Sequence, residues 1–307
     1  MIHIKLCPLC KSDDLSMYIK SKDFSTSQEE FEVSICNKCS FLFTNPRPDE
    51  KDIGEYYKSD NYLSHTNKKK GLFNILYQTV RNIAIKSKTN LLISKTNTKS
   101  HLDIGCGTGE FLNSCEKKGI KTVGIEPSDI ARKKAVENYQ LDVRKNTSLN
   151  QFDDNSFDSI SMWHVLEHIY DIHETTKSLS KILKEKGYAI IAVPNHKSFD
   201  AKFYKKHWAA WDLPIHINHF NPRTITKLFH KNNFVLEKKI GMKYDAFYVS
   251  LLSNEYKSGR KQYIKGFLIG FLSNILAFLN IYEYSSTIYI FKTVSYTHLT
   301  LPTKRIV

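Results

Sequence analysis

The chain has 307 residues, 41 % hydrophobic and 25 % charged, which supplies a sizeable core and excludes a disordered or fibrous chain. Lys and Arg outnumber Asp and Glu by 45 to 31, for a formal charge of +14. That balance suits an anionic partner (nucleic acid, a membrane surface or a phosphorylated substrate) or a solvated lysine-rich surface.

The opening "MIHIKLCPLC" lacks the apolar core and cleavage site of a secretory signal, so a cytoplasmic, reducing compartment is expected. Cys7 and Cys10 form one C-x-x-C knuckle, Cys36 and Cys39 a second. Two such knuckles present four thiolates to one ion, the donor set of a structural Zn2+. The alternating segment between them reads as a hairpin, so residues 1–44 are expected to form a zinc ribbon. Residues 45–99 read as a helical cap or linker. In it "NPRPDEKDIGEYY" turns into a helix, "NKKKG" is a loop, and "GLFNILYQTVRNIAIKSKTNLLIS" has helical spacing.

From residue 100 to 293 short β runs alternate with helices: "SHLDIG", "GEFLNSCEKKG", "KTVGIE", "SDIARKKAVENY" with Ser128 as N-cap, "FDSISM", "IHETTKSLSKILKEKG" and "YAIIAVP". The alternation predicts an α/β domain with a Rossmann-like, doubly wound sheet. An apolar helix inserts at about 264–282, and "SSTIYIFKT" is the last strand. Val294 to Thr303, "VSYTHLTLPT", resembles a translated sequencing-library adapter, so residues 294–307 are set aside as a non-native tail.

"LDIGCGTGEFL" places Gly105, Gly107 and Gly109 between a strand and a helix, where bare backbone lets a ligand approach. Glu126 ends the next strand, the position of an acid that accepts from ribose hydroxyls. Asp103, before the first glycine, favours a cationic sulfonium and an amino group over a pyrophosphate at the helix start.

This motif, with "GIEPS", "NTSL", "FDDNSFDSISMWHVLEHI" and "LKEKGYAIIAVPN", resembles class I S-adenosylmethionine-dependent methyltransferases over about residues 100 to 240. The resemblance implies S-adenosyl-L-methionine as cofactor. It would be held by Asp103, the three glycines, Glu126, Asn146 and Thr147 of the adenine loop, and His164 after the fourth strand. Lys186 departs from the pattern, which commonly has glycine there. A four-cysteine ribbon, then "NPRP" and "YY", then this domain resembles methyltransferases of bacterial surface-polysaccharide and small-metabolite clusters. That implies a small-molecule acceptor, a sugar or glycan intermediate, free or lipid-linked.

Methyl transfer requires alignment and, for a hydroxyl, a base. Four residues are candidates: Glu167 and His168 of "WHVLEH", and His216 and His219 of "HWAAWDLPIHINHFNP". Glu167 and His168 match a metal-holding pair of ubiquinone-biosynthesis O-methyltransferases, with His164 in place of the third, acidic ligand. They also read as structural pins near the cofactor. The histidines beside Trp208, Trp211 and Phe220 read as a substrate-covering insertion.

Residues 257–282 combine basic and apolar runs, which suits an anionic membrane interface as well as a buried or dimer-forming helix. The expected location is cytoplasmic, or peripheral at the inner face of the membrane. An RNA base methyltransferase and a non-enzymatic zinc-ribbon binding protein are the alternatives. Nucleic acid is disfavoured because no aromatic-basic stacking surface is visible.

Overall fold

The computed structural model describes residues 1–57, 72–95 and 98–294. The "NKKKG" loop and the tail after Val294 lie outside them. Strands β1 (Leu15–Lys22) and β2 (Glu30–Cys36) form the expected hairpin, with Leu15 opposite Cys36 and Lys22 opposite Glu30. Strand β3 (Leu42–Thr44) adds to β2. One long helix, α1 (Leu72–Lys95), follows.

The main domain is a doubly wound α/β sheet. In chain order it contains β4 (Ser100–Ile104), α2 (Glu110–Glu116), β5 (Lys121–Ile125), α3 (Asp129–Tyr139), β6 (Val143–Arg144) and β7 (Phe157–Trp163). Then come α4 (Ile172–Ile182), β8 (Leu183–Pro194) and α5 (Phe199–Tyr204). A two-residue strand, β9 (Asn218–His219), precedes α6 (Pro222–His230) and β10 (Phe234–Gly241). Helices α7 (Asp245–Ser258) and α8 (Tyr263–Phe278) lead to β11 (Ser286–Thr293).

The seven-stranded order is β6-β5-β4-β7-β8-β11-β10. The β4, β5, β6, β7 and β8 contacts are parallel, and β11 runs antiparallel to both neighbours. Central strands of such a sheet are covered on both faces, which is why β8 reads as the near-continuous apolar run "YAIIAVP".

Helix α4 ends at Ile182, earlier than its sequence pattern suggests. The cause is local. Leu183 is already extended, Lys186 takes φ 61°, and a Cβ on Gly187 would lie 2.8 Å from the Lys184 carbonyl oxygen. Lys186 therefore occupies the left-handed region that glycine would adopt without strain.

β9 belongs to the other sheet, whose order is β1-β2-β3-β9. Leu42 pairs with His219 and Phe43 with Asn218. The ribbon is thereby joined to the segment that follows β8. One core cluster runs through both parts: Cys7, Leu9, Phe41 and Phe43 pack with Phe220, Leu166 and Ile172.

α8 buries Gly266, Gly270, Ser273 and Ala277, and meets α7 at Gly266 and Gly270. A Cβ on Gly270 would lie 2.7 Å from the Ala246 carbonyl oxygen and 2.8 Å from the Phe247 Cα. Gly270→Ala gains about 1 kcal/mol in helix propensity but forces two backbones apart, at about 1–3 kcal/mol. The expected outcome is net destabilisation, read as a lower urea midpoint. A raised midpoint would show that α8 retreats freely.

Candidate cofactor loop and histidine–carboxylate cluster

The loop after β4 holds Gly105, Gly107 and Gly109 at φ 74°, 56° and 83°. A Cβ on Gly105 would strike Val165 at 2.4 Å, and one on Gly109 would strike Leu141 at 2.6 Å. At Gly107 a Cβ meets nothing within 4 Å, so this backbone is open to a ligand. Glu126 reaches back from the end of β5. Its Oε2 accepts from the Gly107 N–H at 2.9 Å and its Oε1 from the Ser128 N–H at 2.8 Å. Each carboxylate oxygen retains a second lone pair for a ribose hydroxyl. Asn146 and Thr147 are exposed, and Asn146 Oδ1 accepts from the Ser148 N–H at 3.0 Å.

Asp103 is buried at the end of β4, and burial pushes its carboxyl up to about 7. A one-way chain of hydrogen bonds ends on it. Thr98 Oγ1 donates to Ser159 Oγ (3.0 Å), Ser159 meets His101 Nδ1 (2.7 Å), His101 Nε2 meets Ser161 Oγ (2.9 Å), and Ser161 donates to Asp103. Burial pushes His101 down to about 3, so it stays neutral and can carry a single proton at Nε2. His101 was not singled out from the sequence. The signal is the "HLD" alternation, which puts His101 and Asp103 on one face of a strand. Lys88 of α1 was also missed. Its Nζ lies 4.3 Å over the Trp163 ring; burial pushes its pKa down while Asp103 and Asp245 attract its charge.

After β7 the chain turns through His164, at φ 59°. Its Nδ1 is 3.2 Å from Glu167 Oε1 and its Nε2 3.1 Å from Asp245 Oδ2. Burial opposes charge there, but the two carboxylates prevail and hold His164 up to about 10. In place of an acidic ligand, His164 is a cation spanning two acids.

Glu167 is 1 % exposed, and its Oε2 has no hydrogen-bond partner. His168 Nδ1 is 2.9 Å from the Ile215 carbonyl oxygen and 3.1 Å from Tyr57 Oη. His216 Nδ1 is 3.0 Å from the Ala210 carbonyl oxygen. With both Nδ1 atoms on carbonyls, each ring keeps Nε2 as an acceptor. Ligand atoms of Glu167, His168 and His216 all lie within 4.8 Å of one another, a donor set that fits a divalent cation.

His219 points elsewhere. Its Nε2 meets Thr44 Oγ1 of the ribbon at 3.2 Å, and burial holds its pKa well below the ordinary value. Trp208 and Trp211 are core residues, with indole N–H groups bonded to Asp200 (2.7 Å) and the Lys205 carbonyl (2.9 Å). His216 instead lines a cavity of about 770 Å³ between the β1–β2 turn, α7 and the start of α8. Its walls include Asp23, Phe24, Tyr56, Asp212 and Tyr256. Phe24 and Tyr256 stack at 4.6 Å, and burial pushes Asp212 up to about 6.

In the ribbon, Cys7 and Cys39 sulfurs are 3.6 Å apart and Cys10 and Cys36 sulfurs 3.5 Å. Thiolates about 2.3 Å from one tetrahedral ion would stand about 3.8 Å apart, so the four fit Zn2+. The two knuckles repeat one geometry. Lys11 and Ser40, each following a second cysteine, have φ 63° and 60°. Their N–H groups bond the first cysteine's carbonyl at 2.9 and 2.7 Å. Cys106 and Cys115 are buried outside this cluster.

A family model described as "Methyltransferase domain" matches residues 77–239, more than half of the chain. The ubiquinone biosynthesis O-methyltransferase of Pelagibacter ubique is 29 % identical over 171 residues, covering 51 % of this chain and 68 % of that protein. The protein of the same name from Bradyrhizobium diazoefficiens is 26 % identical over 157 residues, 48 % and 62 %. The chain thus spans about three fifths to two thirds of these relatives' length. A solved S-adenosylmethionine-dependent methyltransferase from Archaeoglobus fulgidus superposes with a TM-score of 0.48 at 17 % identity, covering 73 % of this chain and 100 % of that one.

Two buried histidines set an acid limit on the fold. His101 and His196 are both pushed from about 6.5 down to about 3 by burial. A depressed folded pKa stabilises the fold above the unfolded value and is lost as pH falls. Each histidine therefore removes about 2 kcal/mol between pH 7 and pH 5. Asp103 and Asp212, pushed up to about 7 and about 6 by burial, take up protons in the fold over the same interval and act in the opposite direction. The test is therefore a difference between two proteins: the urea midpoint of His101→Gln should fall less between pH 7 and pH 5 than that of the parent chain. Equal pH dependence of the two would contradict the burial argument.

Proposed function

This chain belongs to the methyltransferase-domain family, and we propose that it transfers a methyl group from S-adenosyl-L-methionine to a hydroxyl of a sugar-like or glycan acceptor. The observation that carries the reading is His216. It stands between the buried Glu167 cluster and the cavity, with Nε2 free to accept a proton.

The cofactor, when bound, supplies a sulfonium methyl to the acceptor oxygen. Asp103 and Glu126 would hold its cationic amino acid end and its ribose, with Gly107 backbone between them. Lys88, facing Asp103 and Asp245, would meet the carboxylate. Val165 touches Gly105, and His164 beside it bonds Asp245 at the head of α7, a wall of the cavity. The cofactor loop and the cavity are therefore joined through one short turn. His216 Nε2 takes the hydroxyl proton as the methyl arrives, and the ionised Glu167 stabilises the resulting imidazolium. Burial depresses His216, which keeps it neutral and ready to accept. Phe24, Tyr56 and Tyr256 offer faces for a ring, with Asp23 and Asp212 as hydroxyl partners. The O-methyltransferase names of the relatives support oxygen as the accepting atom. The ribbon, whose four cysteines would hold structural Zn2+, supplies Asp23 and Phe24.

The test is calorimetric titration of S-adenosylhomocysteine, followed by turnover with nucleotide-sugars and lipid-linked glycans. Micromolar binding is expected, and Asp103→Ala with Glu126→Ala should abolish it. His216→Ala should retain that binding while kcat falls by roughly 10²–10⁴. Absence of binding by folded protein would overturn the reading.

A second reading rests on the orphaned Glu167 Oε2. Glu167, His168 and His216 would hold a divalent cation that polarises the acceptor hydroxyl. Mn2+ binding followed by electron paramagnetic resonance separates the two. Binding lost in Glu167→Gln, with turnover that follows the metal, selects the cation. Turnover unaffected by Mn2+ or chelator selects the base.

A further inference from the structure

α8 is inside out for a helix facing water. Its buried face is small: Gly266, Gly270, Ser273 and Ala277. Its exposed face is large and apolar: Ile264 (79 % exposed), Phe267 (54 %), Leu268 (56 %), Phe271 (50 %) and Phe278 (73 %). At about 3.6 residues per turn these two sets fall on opposite sides of the helix. Had the apolar residues been selected for this chain's own core, they would point inward, as they do in α4. A contiguous apolar face of this kind marks a contact with something apolar.

The flanking charge says what. Lys257, Arg260, Lys261 and Lys265 precede or open the helix, and no acidic residue lies between Tyr256 and Tyr282. A parallel two-fold contact with a second copy would bring these cations toward each other, and an antiparallel one would set them beside the uncharged Phe278–Tyr282 end of the other copy. An anionic lipid surface matches them. The helix has 16 residues, about 24 Å, against a hydrocarbon core of about 30 Å, and no helix of the described residues is long and apolar enough to cross a membrane. Ser273 donates to buried Asp200 at 2.8 Å and Asn274 to the Lys243 carbonyl at 2.8 Å, so the inner face is tied to the domain.

We propose that α8 lies in the interface of an anionic membrane, with Ile264, Phe267, Leu268, Phe271 and Phe278 among the acyl chains and the basic run at the headgroups. Tyr263 and Lys261 also border the 770 Å³ cavity. Docking therefore brings the cavity rim to the lipid, where an acceptor with a lipid tail would be presented. That corollary alone rests on the function proposed above.

The test is flotation of the full chain with vesicles of phosphatidylcholine, alone or with about one third phosphatidylglycerol. Anionic vesicles should bind at least about tenfold more protein, and about 0.5 M NaCl should reduce the binding. Leu268→Glu with Phe271→Glu should abolish flotation while far-UV circular dichroism and S-adenosylhomocysteine affinity stay unchanged. Phe271→Trp gives a second readout, with emission expected to shift to the blue on anionic vesicles. Protein that stays unbound with both lipids, or tryptophan emission that vesicles leave unmoved, would overturn the proposal. So would a soluble dimer that the double Glu variant dissociates. Flotation with no S-adenosylhomocysteine binding would sink the function and spare the docking; binding with no flotation would do the reverse.

Discussion

A carboxylate taken out of water must be compensated where it stands, and Glu167 is such a carboxylate. Three histidines gather around it, from two separate stretches of the chain. His164 comes from the turn after β7 and carries a proton to it. His168 directly follows Glu167 in the chain, and His216 arrives from the segment after β8. The Glu167 backbone takes part too, its carbonyl accepting from the Ile217 N–H at 3.0 Å. Fixing one buried charge therefore fixes the turn beside the cofactor loop, the wall of the cavity and the strand that meets the ribbon.

The ribbon is a structural wall of the domain and not an appendage to it. Thr44 illustrates the point. Its N–H bonds the Ile217 carbonyl at 3.1 Å, and its hydroxyl donates to the His216 carbonyl at 2.7 Å. The backbone at the proposed base and directly after it is thus held from the four-cysteine unit. His173 Nε2 on α4 adds a contact to the Leu9 carbonyl at 3.0 Å, next to the first knuckle. Ordering the knuckles and placing His216 are parts of one packing problem.

How much of this could be read beforehand follows the distance between partners. The glycine loop, Asp103 and Glu126 were legible because strand, turn and helix are local and their spacing carries the geometry. The cysteine pairs were legible for the same reason. His216 and His219 are three residues apart and look equivalent in sequence. They diverge in space because His219 pairs with β3, a partner the sequence does not indicate. The role of His164 depends on Asp245, 81 residues away. The apolar run of α8 was plain, but its outward orientation was not. That depends on the tight approach of Gly266 and Gly270 to α7, a tertiary fact. Lys186 shows the converse, since its departure from glycine was visible and its φ of 61° supplies the reason.

The pairing of β3 with β9 has a consequence for how the chain is made. Thr44 and His219 are 175 residues apart. At about 5–20 residues per second, the ribbon's outer edge waits on the order of ten seconds for its partner to be synthesised. During that time an unpaired edge backed by Phe41 and Phe43 faces solvent or a chaperone. All four clustered cysteines are made before the delay begins, so the knuckles can close first and present a finished edge. In a nascent chain the ribbon would then act as the template on which the later segment registers.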